Sequence, residues 1–192
     1  MDPIRRRSFL RMAAAAIPGS TLLSQTAATA ISARPVKVFA GSDREGKSHT
    51  VGVSSTTYKV LTADTLGAMF VMEQANQKKG GPTRHLHFSQ DELFYVIEGE
   101  YIVEIGAERF HLKAGDCVLG PRGIPHAWAF VGDSNGRMLL SYSPAGRMEA
   151  FFNDREKNGI KKGAYASSTD AETMKAYGME LIGPPLKIDE SA

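Results

Sequence analysis

The chain holds a single cysteine in 192 residues, Cys117, so no internal disulfide can form. Its apolar setting in DCVLG reads as a small buried hydrophobe rather than a reactive thiol. Beyond the first thirty residues no apolar run is long enough to span a bilayer. Basic runs interleaved with aromatic residues are also missing, which argues against nucleic acid as a partner. Neither sign of charge dominates, since 23 Lys and Arg stand against 21 Asp and Glu. Hydrophobic residues make up 42% and charged residues 23%, a balance that excludes a disordered chain and fits one folded globular domain with a tail. Past residue 30 there is no internal repeat and no low-complexity tract.

The first thirty residues read as a leader. RRRSFLRMAAAAIPGSTLL joins an arginine cluster to an alanine-rich apolar stretch, and AATA offers small residues, Ala28 and Ala30, at a cleavage site. A basic amphipathic helix would spread its charges round the wheel, whereas here they precede the apolar block. Arg6, Arg7, Phe9 and Leu10 resemble a twin-arginine export motif. That resemblance implies the twin-arginine export machinery as a partner, a periplasmic or secreted location, and no stable membrane insertion after cleavage. Removing residues 1–30 takes away four arginines and one aspartate, leaving 19 basic and 20 acidic residues, so the mature chain is near neutral.

Residues 31–57 form a polar N-terminal arm that opens with the apolar PVKVFA and contains His49, an ordinary surface or packing histidine on this reading. From residue 58 to 144 the texture is one short strand after another, TLGAMFVMEQ, ELFYVIEG, YIVEIG, RFHLKAG, CVLGP, HAWAFVG and RMLLSYSP, separated by Gly, Pro, Asp and Asn. Short strands at this spacing predict a closed or sandwiched all-β domain. Alternation in ERFHLKAG sends Phe110 and Leu112 inward and His111 to solvent.

From residue 145 to 192 the period changes. RMEAFFNDREKNG carries Met148, Phe151 and Phe152 at helical spacing and stops at Gly159, while TDAETMKAYG stops at Gly178. Two short C-terminal helices are expected. Their aromatic pair suits a lid over a pocket, but periodicity favours the plainer picture of an apolar face packed on the outside of the β domain.

Two stretches carry the chemistry. In RHLHFSQDELFYVIEGE, His85 and His87 fall on one face of an extended strand with side-chain roots about 7 Å apart, close enough to converge on one ion. In GDCVLGPRGIPHAWAF a tight Gly/Pro turn delivers His126 onto the next strand, able to point at the same interior. Together they resemble the paired motifs of the cupin superfamily. The first motif, H-x-H, three or four residues, E, six residues, G, is met by His85, His87, Glu92 and Gly99. The second, G, five residues, P-x-G, two residues, H, is met by Gly115, Pro121, Gly123 and His126. Two departures touch no ligand: Lys79 stands where the family has glycine, with Gly80 next to it, and Phe130 replaces a common asparagine.

The resemblance implies a cupin-type small β-barrel, a double-stranded β-helix or jelly roll, in which His85, His87, Glu92 and His126 bind one divalent transition metal, Fe, Mn, Ni, Cu or Zn. Three imidazoles and one carboxylate leave open coordination positions, as a catalytic site needs. Alternation adds Phe94, Val96, Trp128 and Phe130 as an apolar substrate pocket, suited to a planar organic small molecule. SPAGRMEAFF and YGMELIGPPL further resemble the tail of small cupins similar to quercetin 2,3-dioxygenase, which implies dioxygenase chemistry on a flavonol-like or other enolisable aromatic substrate, with Glu92 as the base. A decarboxylase or isomerase of a small acid would want a basic residue in the pocket, and Arg84 and Arg122 are the nearby candidates. A non-catalytic metal- or ligand-binding cupin is the third reading. A homodimer is expected, with residues 35–40 available as an exchanged strand.

Overall fold

The computed structural model describes residues 35–51, 54–158 and 168–188; the expected leader lies outside them. Eleven strands and two helices are present among the described residues. In chain order they are β1 (His49–Val51), β2 (Ser54–Val60), β3 (Phe70–Asn76), β4 (Thr83–His87), β5 (Asp91–Glu98), β6 (Glu100–Ile105), β7 (Glu108–Lys113), β8 (Cys117–Gly120), β9 (His126–Phe130) and β10 (Gly136–Ser143). Helices α1 (Met148–Asn158) and α2 (Ser168–Ala176) follow, and β11 (Met179–Pro185) closes the order. The strands make two sheets, β1-β2-β3-β10-β5-β8 and β11-β4-β9-β6-β7, with antiparallel pairing throughout.

The alternation that predicts each strand also fills the space between the sheets. Phe94, Val96, Tyr101, Val103, Met138 and Leu140 are buried on alternate positions of β5 and β10 in the larger sheet and β6 in the smaller, and β9 is buried along its whole length. At roughly 1.5–3 kcal/mol for each large apolar side chain taken out of water, this interior is the main source of stability. It also fixes register, because a one-residue slip in any of these strands would turn its core face outward.

Two stretches expected outside the barrel belong to its sheets. Part of the arm forms β1 and the start of β2, at one edge of the larger sheet. Within the C-terminal extension, β11 pairs with β4 and forms an edge of the smaller sheet. The apolar start of the arm, residues 35–39, is not a strand here, and its Val36 and Phe39 are exposed.

Cys117 is exposed, against expectation. The reason is parity. β8 pairs with β5 so that Gly120 stands opposite Glu92, which turns Gly120 inward and sends Cys117 and Leu119 outward.

Helix α1 is fastened to the barrel by polar contacts. The Tyr58 hydroxyl donates to Asn153 Oδ1 at 3.1 Å, the Thr62 N–H to Glu149 Oε2 at 2.7 Å, and His49 Nδ1 lies 2.7 Å from Glu156 Oε2. His49 is therefore buried, its ring stacked on Tyr58 with centroids 4.1 Å apart. No helix among the described residues is long and apolar enough to cross a membrane.

Candidate metal centre

His85 and His87 project from β4, His126 from β9 and Glu92 from β5, so the three imidazoles come from the smaller sheet and the carboxylate from the larger. Register brings them together: His85 pairs with His126 across β4 and β9, and Glu92 pairs with Tyr142 across β5 and β10. The turn before β9 is held by the Gly123 N–H, which donates to the His87 carbonyl at 2.7 Å, with Gly123 at φ +75, a conformation that glycine adopts without strain. At Gly120 a Cβ would stand 3.2 Å from the Phe94 ring, so the absent side chain leaves room for the ring that packs edge-on to His126.

All four residues are buried, and one ligand-capable atom from each lies within 4.8 Å of the others. Ligands held at about 2.0–2.2 Å from a common ion stand no more than roughly 4.4 Å apart, so small side-chain shifts complete the sphere. Two rings are already oriented. His85 Nδ1 is 2.7 Å from the Thr83 carbonyl and His126 Nδ1 is 3.0 Å from the Ile124 carbonyl. A carbonyl only accepts, so each Nδ1 carries the proton and each Nε2 is left with its lone pair for the interior, the orientation a metal-binding histidine requires.

Glu92 supplies the decisive test of fit. Its Oε2 lies 3.0 Å from His126 Nε2 and 3.1 Å from His87 Nε2. With the Nδ1 proton committed to Ile124, neutral His126 would aim a lone pair at a carboxylate oxygen, and two acceptors do not sit face to face unless a cation lies between them. A proton or a divalent metal meets that need, and the donor set fits either.

The electrostatics agree. Burial pushes the Glu92 carboxyl up, but hydrogen bonds from His126 and His87 and their positive charge outweigh it and hold the group well below the usual carboxylate range. Burial pulls His126 down, while its hydrogen bond to Glu92 pulls harder the other way and the group is raised. His85 has no carboxylate contact of this kind; burial and the neighbouring His126 and His87 lower it to about 3, so it stays neutral. Tyr142 completes the group by donating from its hydroxyl to Glu92 Oε1 at 2.9 Å. Burial, then the Glu92 charge, keep that phenol protonated far above its ordinary range. Tyr142 escaped the sequence reading, yet Met138, Leu140 and Tyr142 alternate along β10 and the same rule that found the core would have turned it inward.

Next to the cluster is a partly open cavity of about 110 Å³, lined by His85, Glu92 and Tyr142 at one part and by Trp128, Leu140, Phe151 and Phe152 elsewhere. Of the four residues expected to form the pocket, Trp128 lines it. Phe94, Val96 and Phe130 are buried but do not. Phe94 packs edge-on to His126 at 5.7 Å and Phe130 packs on Tyr101 at 5.3 Å. Alternation gives the side of a strand that faces inward; it does not give the depth at which the cavity stops.

The helices reverse another expectation. Met148, Phe151 and Phe152 face the cavity, so α1 walls the pocket rather than covering the barrel's exterior. Arg155, one turn further, lines it too, bonded to Asp170 of α2 at 2.7 Å. Arg84 and Arg122 are engaged elsewhere, with Glu104 and the Gly106 carbonyl and with Asp91 respectively. His111 is exposed beside Glu100, away from the cluster.

Residues 71–142 match the model of the cupin domain, and the two antiparallel sheets round the cluster are consistent with a cupin β-barrel. An uncharacterized protein of Methanocaldococcus jannaschii, MJ1618, is 31% identical over 61 residues, 31% of this chain and 49% of that protein. Polyketide synthase CurC of Streptomyces cyaneus is 34% identical over 62 residues, 32% of this chain and 40% of that one. The chain thus spans less than half the length of these curated relatives. Among solved structures, KdgF from Halomonas sp. aligns with a TM-score of 0.46 at 21% identity, over 52% of this chain and 87% of that one.

Proposed function

We propose that this cupin is an exported, metal-dependent dioxygenase acting on a flavonol-like or other enolisable aromatic substrate. The observation that carries the reading is the position of Glu92, a buried carboxylate in the ligand cluster that borders an aromatic-walled cavity. His85, His87, His126 and Glu92 would hold the ion. When bound, a divalent transition metal supplies Lewis acidity toward an enolate and redox chemistry toward dioxygen.

The chain's own residues do the rest. Glu92 accepts the enol proton, so the O–H bond breaks and the electron pair stays on the substrate oxygen. The Tyr142 hydroxyl, holding Oε1, fixes the plane of the carboxylate and keeps its own proton. Trp128, Phe151 and Phe152 lay flat apolar surface against a ring and exclude water. Ring cleavage by dioxygen would break its O–O bond and ring carbon–carbon bonds while new C–O bonds keep both oxygen atoms in the products; Glu92 returns its proton, and no external reductant is required. At about 110 Å³ the cavity is smaller than the several hundred Å³ that enclose a drug-sized ligand, so a three-ring substrate would have to widen it or extend from its open side.

One observation favours a second reading. Arg155 is a cation in the cavity wall, as a decarboxylase or isomerase of a small acid would want. Its pairing with Asp170 already neutralises it, which is why the oxygenase stands first. Elemental analysis of protein from its own compartment, followed by oxygen-electrode assays with flavonols, tests the proposal. Oxygen uptake is expected. Turnover of a small carboxylic acid without oxygen uptake would select the second reading, and a tight metal with no turnover of either would leave a binding protein. Twin-arginine export to the periplasm and a homodimer complete the proposal; changing both Arg6 and Arg7 to Lys should strand the precursor in the cytoplasm.

A further inference from the structure

The inner face of β3 reads Phe70, Met72, Gln74, Asn76, two apolar residues followed by two amides, all buried. The two amides differ. Asn76 Nδ2 donates to Ser54 Oγ at 2.7 Å and its Oδ1 accepts from the Tyr101 hydroxyl at 3.0 Å. Gln74, at 4% exposure, lines the cavity, and its Oε1 finds no hydrogen-bond partner among the described residues. Its neighbours in register cannot supply one. Met138 has no donor, and the Thr56 hydroxyl already donates to the His49 carbonyl at 3.3 Å. An amide oxygen in a cavity wall takes its donor from whatever enters the cavity, water in the resting protein and a donor group of a ligand that displaces it.

Register also sets the distance. Gln74 lies beside Met138 and Glu92 beside Tyr142, four residues apart on β10, or about 13 Å along the strand at its usual rise. A molecule that meets both ends is longer than one ring.

We infer that Gln74 is a specificity-determining residue that accepts a hydrogen bond from a hydroxyl at the far end of an elongated aromatic enol whose near end lies at the His85/His87/Glu92/His126 cluster. The inference rests on the function proposed above and narrows its substrate class. A single-ring enol or a small acid reaches the cluster and leaves Gln74 unpaired; an enol with a second, distal ring carrying a hydroxyl satisfies both.

The test uses two ligands that differ by one group, 3-hydroxyflavone and 3,4′-dihydroxyflavone, titrated by absorbance and fluorescence into the metal-bearing protein as isolated. The wild type should bind the dihydroxy compound about tenfold more tightly, the size of one well-placed hydrogen bond. Gln74→Leu, and Gln74→Met as a closer match in shape, should bind both equally, with unchanged metal content. Thermal melting without ligand adds a readout that needs no substrate. Removing an unpaired buried amide should leave Tm unchanged or raise it, whereas a fall of several degrees in both variants would show that the amide serves the fold and would overturn the inference. Equal binding of the two flavones by the wild type, or discrimination that survives in the variants, would overturn it as well. Binding of neither would sink the function proposed above, and the inference with it.

Discussion

Two groupings of imidazole and carboxylate in this molecule serve opposite ends. In one, three imidazoles gather round a single carboxylate, Glu92, which two of them contact, and the assembly borders a cavity. In the other, a single imidazole, His49, lies between two carboxylates, 2.7 Å from Glu156 and 3.6 Å from Asp43, with its ring face covered by Tyr58. Asp43 is moreover engaged by the Tyr58 N–H at 2.6 Å. The first has more lone pairs than protons and accommodates a cation. The second has acids enough for the one ring it holds and no opening, so it serves to fasten α1 to β1. What separates a metal centre from a structural ion pair is the ratio of bases to acids and access to a void, not the presence of histidine.

The sharpest way to break this contrast is to disable the carboxylate of the first grouping. Glu92→Gln keeps the shape and a carbonyl oxygen but cannot act as a base, so metal should largely remain while turnover of an enolisable aromatic falls by about 10²- to 10⁴-fold. Full activity with metal present would remove Glu92 from the chemistry. Next in size, His87→Ala or His126→Ala should lower metal occupancy by at least about tenfold, read by elemental analysis, since losing even an outer partner commonly costs 10- to 100-fold. His49→Ala should leave occupancy unchanged. Equal losses at His49 and His126 would erase the distinction between the two groupings.

The effect of His49→Ala belongs on stability instead, a loss of about 1–3 kcal/mol in denaturant unfolding as Glu156 loses its buried partner. A wild-type unfolding curve in that variant would show that the His49–Glu156 contact adds nothing to the hold on α1. The smallest effect concerns acid. Asp91, exposed beside Arg122, is held down to about 2 by that guanidinium's hydrogen bonds. A carboxyl depressed in the folded state contributes stability that is full above its unfolded value of about 3.9 and is lost as pH falls toward 2. Arg122→Gln should therefore lower Tm slightly at neutral pH, where the contribution is full, leave Tm near pH 2 unaltered, and so flatten its pH dependence between pH 4 and 2.

The chemical residues were more legible in the sequence than the walls around them. His85, His87, Glu92 and His126 sit on strands whose alternation and turn glycines are explicit, so two short stretches suffice to place them. β11 is harder because MELIGPP ends in two prolines on an edge strand, where neither alternation nor propensity speaks clearly. Cys117 is exposed although DCVLG is apolar on both sides of the strand, because only the pairing of Gly120 with Glu92 decides which side faces in. The role of α1 was hidden for a related reason: periodicity shows that Phe151 and Phe152 share a face, but it cannot say whether that face meets a wall or a void. Gln74 and Arg155 belong to the same category, polar residues whose meaning comes from the cavity they border.

Because the imidazoles hang from one sheet and the carboxylate from the other, any ion they share is a rivet through both layers. Such a rivet binds the folded barrel and not the open chain, so it raises the unfolding free energy by about 2.7 kcal/mol when free ion stands at 100 times its dissociation constant. Chelation would then loosen the seam between the sheets, and the thermal midpoint of the protein would report, without any substrate, how firmly its ion is held.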